Sequence, residues 1–345
     1  MKQKTILLAL LFIASLCKAQ QVHKGESALI YYMPKTTLVF QAHVEKTIEQ
    51  PGIFYLYAEK YLGTKDIITT AKEIYTLKGI QLKNKVDVDY NRAYTIPLTD
   101  KTTASYVINS KGMLECINTT TSHTPVKKQH KNPVVKPEES KSHLTPFNEE
   151  QMRANSIGKM AEEVAQQIYR IRENRLNLLT GDMDQMPQDG EALKIMLKQL
   201  EEEELRLCEL FVGTRTCTSY HKDITLIPTE NIDNDILFRF SSQQGIVEAD
   251  DLSGEPIYLT LSATMQDYLP DTKKSVKSQI STSIYYNQPG SAIITVRDHE
   301  TILLHKTCSI AQFGISIPLP MTLFEKKAYK ALFNSKTGNL IELTR

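Results

Sequence analysis

Over residues 37–48 the apolar pattern is mostly of period two. Leu38, Phe40, Ala42, Val44 and Ile48 fall on one face, and Thr37, Val39, Gln41, His43 and Glu45 on the other. A period of two over this length fits a strand with one buried face and does not fit a helix. The same period returns at Val86, Val88 and Tyr90 between Asp87 and Asp89. Tyr106–Ile108 and Leu114–Ile117 flank Asn109-Ser110-Lys111-Gly112 and read as a β-hairpin, with the glycine supplying a positive φ. Between these strands Pro51 to Leu62 reads as a helix, with Pro in its first turn and Gly63 past its end, and its stripe of Phe54, Tyr57, Ala58 and Tyr61 is expected to cover the sheet. Residues 20–121 are therefore expected to form an α+β domain.

The period changes twice more along the chain. Residues 122–147 carry Pro125, Pro133, Pro137 and Pro146 among five lysines and two glutamates and read as a basic Pro/Lys-rich linker. In residues 148–213 the spacing becomes helical. Ile157, Ala161, Val164, Ile168 and Ile171 lie on one stripe, Leu193, Leu197, Leu200, Leu207 and Phe211 on a second, and the loop 181–190 separates them. An antiparallel helical hairpin is predicted. From residue 214 to 345 period two returns in seven short runs: Thr218–Pro228, Ile236–Ser241, Ile257–Ala263, Ile280–Tyr286, Ala292–Asp298, Thr301–Thr307 and Lys330–Leu343, the last folded at Asn334-Ser335-Lys336. A β-sandwich-like domain follows from that pattern. The predicted class is α+β, mainly antiparallel β. Two short echoes, Ile30-Tyr31-Tyr32 with Ile284-Tyr285-Tyr286 and Asn109-Ser110-Lys111 with Asn334-Ser335-Lys336, are compatible with duplication or with shared turn chemistry.

The N-terminus carries its own message. Lys2 and Lys4 precede an apolar run from Ile6 to Leu16 that is too short for a membrane span, and Ala19 supplies a small residue for cleavage. Residues 1–19 therefore read as a signal peptide, and no transmembrane helix is expected in the mature chain. Cys17 offers a lipid anchor, but Leu16 before it is not the small residue that lipidation favours, and plain cleavage is preferred. Four cysteines remain after cleavage. Pairing Cys208 with Cys217 is one of three possible arrangements and would contribute about 2–3 kcal/mol, and separate buried thiols are the other reading.

The 41 basic residues against 40 acidic ones give no electrostatic footprint for nucleic acid. Chemistry is equally sparse. His299, Glu300 and His305 suggest a metal triad, but six residues of strand separate the histidines by about 20 Å. Cys217 and His221 are about 13 Å apart on a strand, beyond the reach of a nucleophile and its base. Asp182, Asp184 and Asp189 fail the order of ligands in a calcium loop. Catalytic, cofactor and metal residues are therefore assigned to none. The densest group of polar and aromatic side chains, Tyr55, Glu59 and Asp66, is the candidate binding surface. The absence of Trp weighs against a sugar-stacking platform.

The stretch Pro51-Gly52-x-Phe54-Tyr55-x-Tyr57-Ala58-Glu59-x-Tyr61-Leu62-Gly63 is similar to an uncharacterised family of exported proteins of Bacteroidetes-type bacteria, a domain of unknown function. Tyr31-Tyr32-x-Pro34-Lys35, Gln312-Phe313-Gly314 and Leu319-Pro320 extend the resemblance across most of the mature chain. It implies the periplasm or cell surface of a Gram-negative bacterium and adds no catalytic residue. The expected function is a non-catalytic binding or scaffolding protein with an envelope protein or glycan as partner and self-association through the helical hairpin. The alternative is an envelope hydrolase acting on polysaccharide or peptidoglycan through acids near Glu59 and Asp66.

Overall fold

A computed structural model describes residues 27–98, 103–119, 156–182, 189–264, 283–299 and 301–345. Residues 1–19, read as a signal peptide, and the whole of the linker read at 122–147 lie outside the described residues. Antiparallel β-structure dominates the rest. Strand β1 (Ser27–Gln50) pairs along its whole length with β2 (Lys72–Leu98), from Ser27↔Leu98 to Glu49↔Lys72. On the other edge of β1, from Leu38 to Gln50, lies β5 (Thr214–Leu226). The alternation read from the sequence sets this register, and Leu38, Phe40, Ala42 and Val44 are fully buried. Tyr90 departs from its expected face and is 73% exposed. The register shifts between Tyr32 and Met33 leave residues 90–92 bulged out of β2, so side-chain alternation restarts there.

A second long hairpin follows in the C-terminal segment. Strand β9 (Ser283–Asp298) turns directly into β10 (Thr301–Pro320). Residues 280–298 read as two strands because Gln288-Pro289-Gly290 resembles a turn, yet β9 runs through it. Pro289 sits opposite the shift between Ile310 and Ile315 in β10, where its missing N–H breaks no ladder bond. With β6 (Ile232–Ser241), β7 (Gly245–Val247) and β8 (Glu255–Thr264) the hairpin forms a sheet of order β10-β9-β8-β6-β7.

This five-stranded sheet finds its opposing layer in the N-terminal segment. One core joins Leu38, Phe40, Ala42, Ile80 and Leu82 of β1 and β2 to Phe238, Leu259, Leu261, Ile294 and Ile310. The expected self-contained C-terminal sandwich is thus half of a sandwich. The run expected there over Thr218–Pro228 lies largely in β5 and extends the facing sheet instead. The two β segments share cores because each alone presents an apolar face with no partner.

A second core fills the other end. Tyr31, Met33 and Ile96 pack there with Ile284, Phe324 and Phe333, beneath a sheet of order β12-β11-β4-β3. Strands β3 (Tyr106–Ile108) and β4 (Leu114–Ile117) come from the first half, and β11 (Lys330–Phe333) and β12 (Leu340–Thr344) from the second. They meet at β4 and β11, in the pairs Ala331↔Ile117 and Leu332↔Cys116. The sequence echoes therefore mark equivalent places. Gly112 N donates to Asn109 O and Gly338 N to Asn334 O, and the tip carbonyls accept from Tyr32 N on β1 and Asn287 N on β9, both at 2.9 Å.

Two helices occupy the described part of the segment read as a helical hairpin. Helix α2 (Ile157–Thr180) is capped by Ser156 and α3 (Gly190–Val212) by Asp189, and Ala161, Val164, Ile168, Leu207 and Phe211 are buried between them and the preceding loop. The helix expected over Pro51–Leu62 contracts to a 3-10 turn at Tyr55–Tyr57 and α1 (Ala58–Leu62). It also covers a different surface. Phe54 packs on Phe211 with ring centroids 5.3 Å apart, and Phe54 N donates to Leu210 O at 2.8 Å, so the segment docks on the helices. Gly52 is required for this approach, because a Cβ there would collide with the Leu210 carbonyl. No described helix is long and apolar enough to cross a membrane.

Candidate functional site

The residues singled out from sequence do not converge. Glu59 and Asp66 are exposed, and Glu59 is paired with Lys65 at 3.3 Å in open solvent. Tyr55 is half-buried at the 3-10 turn. No disulfide joins Cys208 to Cys217; both are free thiols. Cys208 on α3 faces Arg172 at 3.9 Å, whereas Cys217 on β5 faces Thr47 at 3.6 Å, so the chain reversal at Gly213 sends the two side chains to different neighbours. Burial pushes the Cys208 thiol up from its ordinary pKa. His221 packs against His43 across the β1–β5 pair, with ring centroids 4.7 Å apart and planes tilted by 35°, and not with Cys217. His305 bonds Thr295 at 3.0 Å, whereas Glu300 lies outside the described residues.

What the fold brings together is the pair of Asn-Ser-Lys tips. They border an open cleft of ≈ 540 Å³ whose walls include Val86, Val107, Asn109, Lys111, Ser335 and Lys336. Each tip is made rigid by its own asparagine. Asn109 Oδ1 accepts from Lys111 N at 2.9 Å and Met113 N at 3.0 Å, and Asn334 Oδ1 accepts from Lys336 N at 2.8 Å. Lys111 Nζ reaches back to Val86 O at 2.8 Å, which leaves its charge over the cleft wall. Lys336 is exposed and makes no ion pair among the described residues, and Glu115 beneath is buried.

Behind the cleft the tips rest on an aromatic wall. Tyr32, Tyr285, Tyr286 and Phe333 line an adjoining crevice, and Tyr32 meets Tyr90 edge-on at 5.4 Å. Tyr31 ties the two halves beneath, since its hydroxyl donates to Tyr285 O at 2.9 Å and accepts from Tyr285 N at 2.7 Å. Burial holds the Tyr31 and Tyr286 phenols above the usual tyrosine range, so both stay protonated and able to donate.

Between the two cores runs a polar seam. Arg92, from the bulge in β2, donates to Asn287 Oδ1 and Ser316 Oγ, both at 2.8 Å. Gln312, from the bulge in β10, accepts from Thr36 N at 2.9 Å and donates to Thr36 O at 2.8 Å and Pro228 O at 2.9 Å. The cleft combines two lysines, the Glu115 carboxyl and small hydroxyl and amide groups, and the tyrosines line the crevice beside it. That set suits recognition of a polar surface. Its only trace in the sequence is the repeated Asn-Ser-Lys, whose meaning depends on the non-local pairing of β4 with β11.

A family model described as a domain of unknown function (DUF4831) matches residues 27–341. No curated protein matches. No solved structure matches either.

Proposed function

The chain belongs to the DUF4831 family, whose description assigns no activity, and from its own residues we propose that it is a non-catalytic binding or scaffolding protein of the cell envelope. The observation that carries this reading is the cleft between the paired tips, where two distant hairpins present matched Asn-Ser-Lys groups in turns braced by their own asparagines. Export rests on the lysine-flanked apolar run before residue 20. The partner class is an envelope protein or glycan. The hydrolase reading has no comparable support, because Glu59 faces solvent in a pair with Lys65.

The test is site-specific photo-crosslinking in living cells, with the probe placed at Ser110, at Lys336 and, as control, at exposed Thr70. The expected result is one common adduct from both tips and none from Thr70. An exported chain that gives no adduct at either tip, or the same adducts at all three positions, overturns the reading.

A further inference from the structure

At the far end of the five-stranded sheet, away from the cleft, three ligand-type side chains meet. Glu255 begins β8, Asp298 ends β9, and His299 lies in the two-residue turn to β10. Pairing of Ile257 with Asp298 brings the two strand ends to one rim. His299 Nε2 lies 3.8 Å from Glu255 Oε2 and 4.0 Å from Asp298 Oδ1, and the three ligand atoms are all within 4.8 Å of one another. A second observation singles out the same place. Asp298 Oδ1 itself is shielded from solvent and has no hydrogen-bond partner among the described residues, while the side chain as a whole is 38% exposed. A carboxylate oxygen withdrawn from water without a donor is costly.

We propose that Glu255, Asp298 and His299 form a surface site for a divalent transition ion of the zinc class. One imidazole nitrogen with two carboxylate oxygens is a borderline donor set, which favours such an ion over calcium or magnesium. Tetrahedral ligands about 2.0–2.1 Å from zinc stand roughly 3.3 Å from one another. The observed gaps to His299 close to that separation by small rotations of exposed side chains, and the ion then satisfies Asp298 Oδ1. The fourth position stays open for water or for a donor from a second molecule.

Titration calorimetry with Zn²⁺ on the full chain tests the site. Asp298→Asn and His299→Ala should each remove one binding event or weaken it at least about tenfold, the scale on which even outer-shell partners act. Glu255→Gln, on the exposed rim, provides a third variant that does not touch the sheet interior. His221→Ala is the opposing control, because His43 and His221 are another pair of neighbouring imidazoles. It should leave that binding event unchanged. An Asp298→Asn/His299→Ala double variant with the same number of sites and the same affinity as the parent overturns the proposal. Loss of the event in His221→Ala alone overturns it equally.

Discussion

Hairpins β1–β2 and β9–β10 each run from one core into the other, and each breaks register twice, the larger break lying at Tyr32/Met33 in the first and at Ile310/Ile315 in the second. The first bulges at residues 90–92 and sends Arg92 into the C-terminal half; the second bulges at residues 311–314 and sends Gln312 into the N-terminal half. The residues differ, a guanidinium against an amide, while the task is shared. Each fills the polar gap where an apolar face changes sides. The hairpins differ most at their ends. β9 and β10 are joined by two residues, whereas β1 and β2 are joined by the segment that docks on the helices. At the bulges the equivalence between the halves lies in backbone geometry and not in side-chain identity, whereas at the Asn-Ser-Lys tips it lies in both.

Substitutions can test how deep that equivalence goes. The largest effects belong to the shared core, where Phe40→Ala should cost about 3–5 kcal/mol and Ile294→Ala about 2–5 kcal/mol. Urea denaturation followed by both far-UV signal and tyrosine fluorescence should show one common transition in either variant. Two separated transitions would split the halves into independent units. Next come the seam residues. Gln312→Ala strips Thr36 and Pro228 of three hydrogen bonds, and Arg92→Ala leaves the buried Asn287 Oδ1 without its donor. Losses of about 2–3 and 1–3 kcal/mol are expected. In a double-mutant cycle the two should couple by about 0.5 kcal/mol or more, because Arg92 also reaches Ala311 O beside Gln312. Strict additivity would mean the two bulges act separately. Smallest are the tips. Asn109 serves two backbone donors and Asn334 one, so Asn109→Ala should cost about 1–2 kcal/mol and Asn334→Ala about 0.5–1 kcal/mol by thermal denaturation. Equal losses would make the tips interchangeable in stability.

Local signals carried much of this architecture. The alternation at Leu38–Val44 fixes a strand face, the stripes on Ile157–Ile171 and Leu193–Phe211 fix the helical hairpin, and the Gly112 turn closes β3 on β4. Signals failed where tertiary pairing overrode them. Pro289 looks like punctuation until the opposing bulge is known, and Pro51–Leu62 looks like a helix of sheet-covering length until Phe54 finds Phe211. The candidate site failed for a related reason. Tyr55, Glu59 and Asp66 are close in sequence, whereas Lys111 and Lys336, or Glu255 and His299, become neighbours only through strand pairing across long separations. Proximity along a chain is a poor guide in a fold built on such pairings.

The β4–β11 pairing also sets a timetable. A chain emerging from its N-terminus makes β1 and β2 first, with Leu38, Phe40 and Leu82 lacking their opposing layer until β8 to β10 appear. The sheet that seals the other core closes only when residues 330–333 arrive. Until β5 and then β8 to β10 arrive, an amphipathic ribbon more than twenty residues long stands open to any other unpaired strand. The protein's greatest exposure to misassembly therefore falls in the interval between making its first hairpin and its last, and shielding that ribbon matters more during synthesis than at any time afterwards.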